Sequence, residues 1–495
     1  MSAESTTMDT ANSTIRKIEP ARLWNHFADL NSVPRPSKKE ERVIAFARNF
    51  GESLGLETLV DDVGNVIIRK PASPGFEKRT PIVMQSHLDM VCQKNSDVDF
   101  DFDSQGIDMI IDGDWVLAKG TTLGADNGIG VATIMAVLES NEIEHPPLEA
   151  LFTIDEETGM TGAKGLKGGL LNGKILLNLD TEDDDELTIG CAGGVDITAT
   201  HKYLPVETVA GCVGFNISVT GLSGGHSGMQ IHEGLGNANK IMNRILWGAA
   251  EEFEFHIIEI DGGGLRNAIP RESFATVVVN GDQADEFKAW FEALVEAIVS
   301  EYQATDPDCS IRFEQLEHPA EQMIPAKLQK YLLGTIYSIT SGIHRMSPEI
   351  STLVQTSNNL ARVLVKDGEI KIGCLTRSSV NTERDDLANA ISAVLRLTGA
   401  TIETSGDYPG WAPMPGSTIV KLMSEIYREM FNEEPHVAAC HAGLECGIIG
   451  TNYPDVEMIS FGPNIRGAHS PDEKVQISSV QKFWKFLLET LKQIP

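Results

Sequence analysis

Basic residues are scarce in this sequence. Forty Lys and Arg stand against 71 Asp and Glu among 495 residues, a formal net charge of −31. That excess repels phosphate backbones and anionic lipid heads, so neither nucleic acid nor a membrane is an expected partner. Long apolar runs are missing too, since nothing approaches the ~20 residues that span a bilayer. The opening MSAESTTMDTANS has no basic segment and no apolar one. It is expected to be a polar, frayed tail and not a secretory leader. Cysteine is sparse and odd in number, with seven scattered positions (Cys92, Cys191, Cys212, Cys309, Cys374, Cys440 and Cys446). Free thiols in a cytoplasmic protein are the simplest account. No low-complexity stretch or long charged run divides the chain. What is present is globular: 41% hydrophobic and 22% charged residues exclude a wholly disordered chain. At roughly 150 residues per domain, the length predicts about three structural units.

The first part alternates strand-like and helix-like segments. Arg42–Leu54 has a helical period. Val63–Arg69, Pro81–Ser86, Leu148–Ile154 and Lys174–Leu179 are short apolar runs, and Gly128–Glu139 reads as a buried helix. Such alternation predicts an α/β fold with a mostly parallel sheet flanked by helices. The style returns after residue 406, with helices over Ser417–Phe431, Leu444–Ile449 and Ser478–Lys492 and a strand over Glu457–Phe461. The middle differs. Val213–Thr220, Gly236–Ala249, Glu254–Ile260, Ser273–Asn280, Asp285–Glu301 and Ser310–Gln315 run β-α-β-β-α-β, a ferredoxin-like order. That order nearly recurs between Ala326 and Ser405. The expected organisation is a catalytic domain in two parts, 1–194 and 406–495. An α+β lid over 195–405, of one or two related ferredoxin-like lobes, is inserted between them.

Several polar residues sit where such a sheet places chemistry. His87 and Asp89 follow the run Pro81–Ser86, and on extended backbone residues two apart share a side. One could bind a metal while the other orients it, or the pair could be a surface histidine with a capping carboxylate. Asp126, in TTLGADNGIG, is either an N-cap or a carboxylate bridging two cations. Glu156 and Glu157 end LFTIDEETG. Adjacent carboxylates repel unless a cation or a shared proton relieves them, and one could bind metal while the other serves as general base. Asp180 ends KILLNL, whereas the acidic run after it (TEDDDE) reads as a solvated loop. His469 lies in GAHSPDE, where a lone histidine is ordinarily a turn residue. Together His87, Asp126, Glu157, Asp180 and His469 form a donor set suited to zinc, with cobalt or manganese as substitutes. Five ligands exceed the needs of one tetrahedral ion, and a shared carboxylate resolves them into two metals. The long gap before His469 is what an inserted lid would produce.

The segments HLDMVCQK, TTLGADNGIG, FTIDEETGMTGA, LNLDTEDDDELTIGCAGG, GLSGGHSG and NIRGAHSPDE resemble those of the di-zinc metallopeptidases related to carboxypeptidase G and aminoacylase. Within that group the similarity is strongest to bacterial dipeptidases, and it runs from about Ile18 to the C-terminus. The resemblance implies two zinc ions, one held by His87 and Asp180, the other by Glu157 and His469, with Asp126 bridging. It implies that Asp89 clamps the His87 ring, that Glu156 is the general base toward a bridging hydroxide, and that the Asp126–Asn127 peptide is cis. In the lid it implies that His226, in GLSGGHSG, stabilises the oxyanion, and that Asn267 and Arg377 hold substrate, the arginine gripping the free carboxylate. From the residues alone His226 could equally be a structural turn histidine, and Arg377 an ordinary surface arginine. His441 and Glu445, in AACHAGLECG, are expected on a core helix near the site. Expected substrates are unblocked dipeptides, Xaa-His among them and β-alanyl-histidine a further candidate. A homodimer is one expected assembly. Two alternatives remain open: an amidohydrolase for N-acyl amino acids, and a catalytically idle metal-binding protein on the same fold.

Overall fold

The computed structural model describes residues 12–495. They form two compact units. The first holds the residues up to Gly190 together with Pro413–Ala439 and Leu444–Pro495; the second holds Cys191–Ala412 and Cys440–Gly443. Of the expected N-terminal tail, residues 1–11 lie outside the described residues. Asn12 is not frayed. It is buried, its amide donates to Ile107 O at 3.3 Å, and it accepts from Met109 N at 3.1 Å. Among the described residues no helix is long and apolar enough to cross a membrane.

The first unit is built on an eight-stranded sheet in the order Glu57–Val60, Val66–Lys70, Leu148–Thr153, Ile82–His87, Ile175–Asn178, Glu457–Ser460, Glu186–Cys191, His436–Cys440. Leu148–Thr153, Ile82–His87, Ile175–Asn178 and Glu457–Ser460 run parallel, and antiparallel pairs flank them. Ile82–His87 and Leu148–Thr153 are buried along their whole length, as strands covered on both faces must be. The helix Ala125–Glu139 is buried from Asn127 to Leu138. It lies so close to the sheet that a Cβ on Gly130 would stand 2.2 Å from Asn127 Oδ1 and 2.4 Å from Ser86 Oγ. Only glycine permits that approach.

The second unit carries a nine-stranded antiparallel sheet. One half is ordered Ser310–Gln315, Cys212–Thr220, Ser273–Asn280, Phe255–Gly263, the fourth, first, third and second strands of a ferredoxin-like lobe. The other half is ordered Val354–Lys366, Glu369–Ser378, Gly193–Lys202, Thr401–Tyr408, which is the same order read from the opposite end. The halves join edge to edge, Ile260 opposite Val365 and Gly263 opposite Arg362. One continuous apolar core runs beneath both, from Ile197 and Phe215 to Leu360 and Leu395. The near-recurrence in the sequence lacks its first strand because that strand, Gly193–Lys202, precedes the whole first lobe. The two compact units divide between Gly190 and Cys191 and between Ala412 and Pro413.

Candidate metal centre

The strand ends of the first unit bring the sequence-predicted donors together. His87 closes the strand Ile82–His87. Asp126 stands at the start of the helix Ala125–Glu139, after a left-handed Gly124. Glu156 and Glu157 follow Leu148–Thr153, and Asp180 follows Ile175–Asn178. These are C-terminal ends of parallel strands, where open α/β sheets place their sites. His469 comes from a loop with φ of +63°, a conformation that costs energy in any non-glycine residue.

Asp126 divides its two oxygens. Its Oδ1 lies 3.2 Å from His87 Nε2 and its Oδ2 lies 3.1 Å from His469 Nε2. His87 Nε2 is also 3.5 Å from Asp180 Oδ1, and His469 Nε2 is 3.0 Å from Glu157 Oε2. Donor atoms of His87, Asp126 and Glu157 all fall within 4.8 Å of one another. Asp89 approaches His87 Nδ1 through its backbone oxygen at 3.1 Å and its carboxylate at 3.4 Å. That carboxylate also accepts from the backbone of Glu156 at 3.1 Å and of Glu157 at 3.2 Å, and from Ser37 Oγ at 2.8 Å. One side chain thus orients an imidazole and the acidic pair together. The Asp126–Asn127 peptide is cis. Asn127 donates to Leu179 O at 2.7 Å and to the Asp180 carboxylate.

The charges here call for cations. Among the described residues, the ion pairs of Asp126, Glu157 and Asp180 are all made to the two imidazoles. Glu157 Oε1 is buried without a partner. Hydrogen bonds to Asp126 and Glu157 push His469 up to about 11. Burial pulls the His87 value down, yet Asp180, Asp126 and Asp89 outweigh it and hold that ring well above 6.5. Burial works against ionising Asp126, but both imidazoles keep its carboxyl below the usual carboxylate range. Carboxylates and imidazoles in this number fit borderline divalent ions. Burial lifts Glu156 well above 4.5, with the charges of Asp180, Glu445 and Glu157 adding to it against His87.

Sequence reasoning missed the buried setting of Glu182 and Glu473, and placed Glu445 only on a core helix near the site. The run after Asp180 is not a freely solvated loop. Burial raises Glu182 to about 8, Asp184 receives Lys482 at 2.7 Å, and Asp183 pairs with Arg466. Glu473 accepts four backbone N–H groups beside Asp126. Glu445 begins the helix Glu445–Asn452, one residue from the expected start at Leu444, and the residues before it, His436–Cys440, form a strand. Its Oε2 accepts from Gln85 Nε2 and Thr153 Oγ1, each at 2.6 Å, and its Oε1 has no partner. Burial raises Glu445 to about 8. A carboxyl raised in this way holds its proton more tightly folded than unfolded, so the stability it allows at low pH is lost as pH climbs from about 4.5 through about 8. Glu445→Gln is neutral at every pH. Urea unfolding should find it matched to the parent at pH 5 and more stable at pH 9. The gap should open by up to about 1.4 kcal/mol per pH unit across that window. Parallel stability–pH curves for the two proteins would refute a buried protonated acid.

The second unit gathers the remaining candidates. His226 pairs in a short ladder with Ala268, and Ser227 N donates to Asn267 O at 2.8 Å. His226 Nδ1 accepts from Gly228 N at 3.2 Å and Met229 N at 3.0 Å. The ring's proton therefore sits on Nε2, which is left as a donor. Burial and the charge of Arg377 lower its pKa, so the ring stays neutral. Arg377 lies in register between Ser357 and Gly194 and donates to Tyr408 Oη at 2.7 Å. Its Nε is buried without a partner. His441 hydrogen-bonds Ser357 Oγ at 2.7 Å, and burial, with the Arg377 charge behind it, drives it down to about 3. Asn267 is exposed in a turn.

A family model described as peptidase family M20/M25/M40 matches residues 83–493. The cytosol non-specific dipeptidase of Escherichia coli (strain K12) is 42% identical over 484 residues, covering 98% of this chain and 99% of the relative. The crystal structure of aminoacylhistidine dipeptidase from Vibrio alginolyticus superposes with a TM-score of 0.92 at 42% identity, covering 97% and 98% of the two chains. Aminopeptidase PepT from Bacillus cereus shares the fold, with a TM-score of 0.57 at 16% identity over 96% and 99% of the chains.

Proposed function

The chain belongs to peptidase family M20/M25/M40, and from that membership we propose that it is a dipeptidase working with two divalent cations. The carrying observation is the shared Asp126 carboxylate, with one oxygen toward His87 and the other toward His469. His87 and Asp180 would hold one ion and Glu157 and His469 the other, zinc being the expected metal. Such ions polarise a scissile carbonyl and make a water acidic at neutral pH. Glu156 takes a proton from the attacking water and returns it to the leaving amine. Asp89 fixes both Glu156 and the His87 ring through the contacts described above. The Nε2–H of His226 donates to the developing oxyanion. Asn267 holds substrate and Arg377 grips its free carboxylate, which limits substrates to dipeptides, Xaa-His among them. The near full-length dipeptidase relatives support this reading over an acylase. The cytosolic relative supports a cytoplasmic enzyme.

The test uses chelator-treated protein reconstituted with zinc, cobalt or manganese. The panel comprises free dipeptides with and without C-terminal His, their C-terminal amides, and N-acetyl amino acids. Free dipeptides should be cleaved only after metal is restored. The amides should lose about 10–100-fold in kcat/KM, the worth of a charge-assisted hydrogen bond. Turnover by the metal-free protein, or cleavage of N-acetyl amino acids alone, would defeat the proposal.

A further inference from the structure

The segment Leu123–Asp126 presents its backbone N–H groups at the start of a buried helix. Such groups need an acceptor. Asp126 is not it: a capping side chain accepts from N–H groups two or three residues further along, and both oxygens of Asp126 face imidazoles. Glu473 takes the task instead. Its Oε2 accepts from Leu123 N at 2.7 Å and Gly124 N at 2.9 Å, and its Oε1 from Ala125 N at 2.7 Å and Asp126 N at 3.2 Å. The carboxylate is buried, 2% exposed, so it has no comparable partner in solvent. Arg35 grips the same turn from the other side. Its Nη2 donates to Gly124 O at 2.6 Å and to Asn31 Oδ1 at 3.0 Å, and its Nη1 donates to Leu88 O at 3.1 Å and Asp89 O at 3.2 Å. Arg35 is 1% exposed. A Cβ on Gly124 would stand 2.4 Å from that guanidinium, so the close approach also requires the glycine.

Two charged side chains thereby tie three donor-bearing segments together. Arg35 links the residues after His87 to the Asp126 turn, and Glu473 links that turn to the loop of His469. Resting on the two-cation reading above, we infer that Glu473 and Arg35 are positioning residues that fix the backbone of the Asp126 turn and so aim its two carboxylate oxygens for a pair of cations. Neither touches the donors' oxygens, so both act through the backbone that carries them. Partners of this kind are worth about 10–100-fold in metal affinity.

The experiment compares the full-length protein with Glu473→Gln and Glu473→Asp by cobalt titration of the chelated forms, visible absorption of the cobalt proteins, and dipeptide kinetics. Glu473→Gln leaves two N–H groups facing an amide donor. Its more weakly held cobalt should bind about 10–100-fold less tightly. Its absorption bands should shift, and kcat should fall while KM changes less than about threefold. Glu473→Asp keeps the charge and should recover part of the affinity, which keeps the test alive should the Gln variant fold poorly. A lower melting temperature with parental cobalt affinity and bands in both variants would mean packing alone and overturn the inference. A parental protein that binds no cobalt would instead sink the two-cation reading, and the inference with it.

Discussion

Glu156→Gln should leave the metals bound and lower kcat by about 10²–10⁴-fold, the span that a positioned general base contributes. The amide keeps the size of the side chain and its place beside Asp89, whose carboxylate holds the backbone of residue 156 at 3.1 Å. It cannot take a proton. Glu156 is also the member of the acidic pair without an ion pair to either imidazole, whereas Glu157 meets His469 at 3.0 Å. The two neighbours should therefore fail differently. Elemental analysis of Glu156→Gln should match the parent, and steady-state kinetics should show the loss in kcat rather than KM. Parental turnover at full metal content would remove Glu156 from the chemistry.

Asp126→Asn should be as damaging by another route. Each oxygen of Asp126 serves a different half of the centre, so an amide there removes one anionic donor from both. Metal content should fall below two per chain, and affinity should fall by more than the about 10–100-fold attached to outlying partners. Turnover should fall with it. The chelated variant should fold, because Glu473 and not Asp126 satisfies the N–H groups of that turn. Calorimetric titration with zinc, alongside thermal unfolding of the metal-free protein, would check both halves of this expectation. Two zinc ions bound with parental affinity would mean that Asp126 does not bridge.

The two variants probe the part of the molecule most legible beforehand. His87, Asp126, Glu157 and Asp180 each stand at the end of a short apolar run or the start of a helical one, and those periods are local properties of the chain. The helix expected at Gly128–Glu139 extends only three residues further toward the N-terminus, as Ala125–Glu139. Ser273–Asn280 and Ser310–Gln315 form strands with the expected ends. Alternation and helical period need no knowledge of distant residues, which is why they read correctly. His469 was weaker as a single residue and gained its meaning only from the set.

Other features left no local trace. The strand Gly193–Lys202 completes the second lobe only by pairing with Glu369–Ser378 and Thr401–Tyr408, and nothing in its own composition names partners so far along the chain. The resemblance placed His441 and Glu445 on one helix, yet the chain is a strand to Cys440 and a helix only from Glu445, next to the expected start at Leu444. Neither Glu473 nor Arg35 stood out in the sequence. Sequence by itself determined the chemical kind of the candidate donors and the types of the elements that carry them, because residue identity and periodicity are written locally. Tertiary structure alone decided which oxygen of Asp126 faces which imidazole, that Glu473 takes the backbone N–H groups of that turn, and that a buried arginine clamps it. Hydrogen bonds are satisfied between segments hundreds of residues apart, and only the folded chain brings those partners within reach of one another.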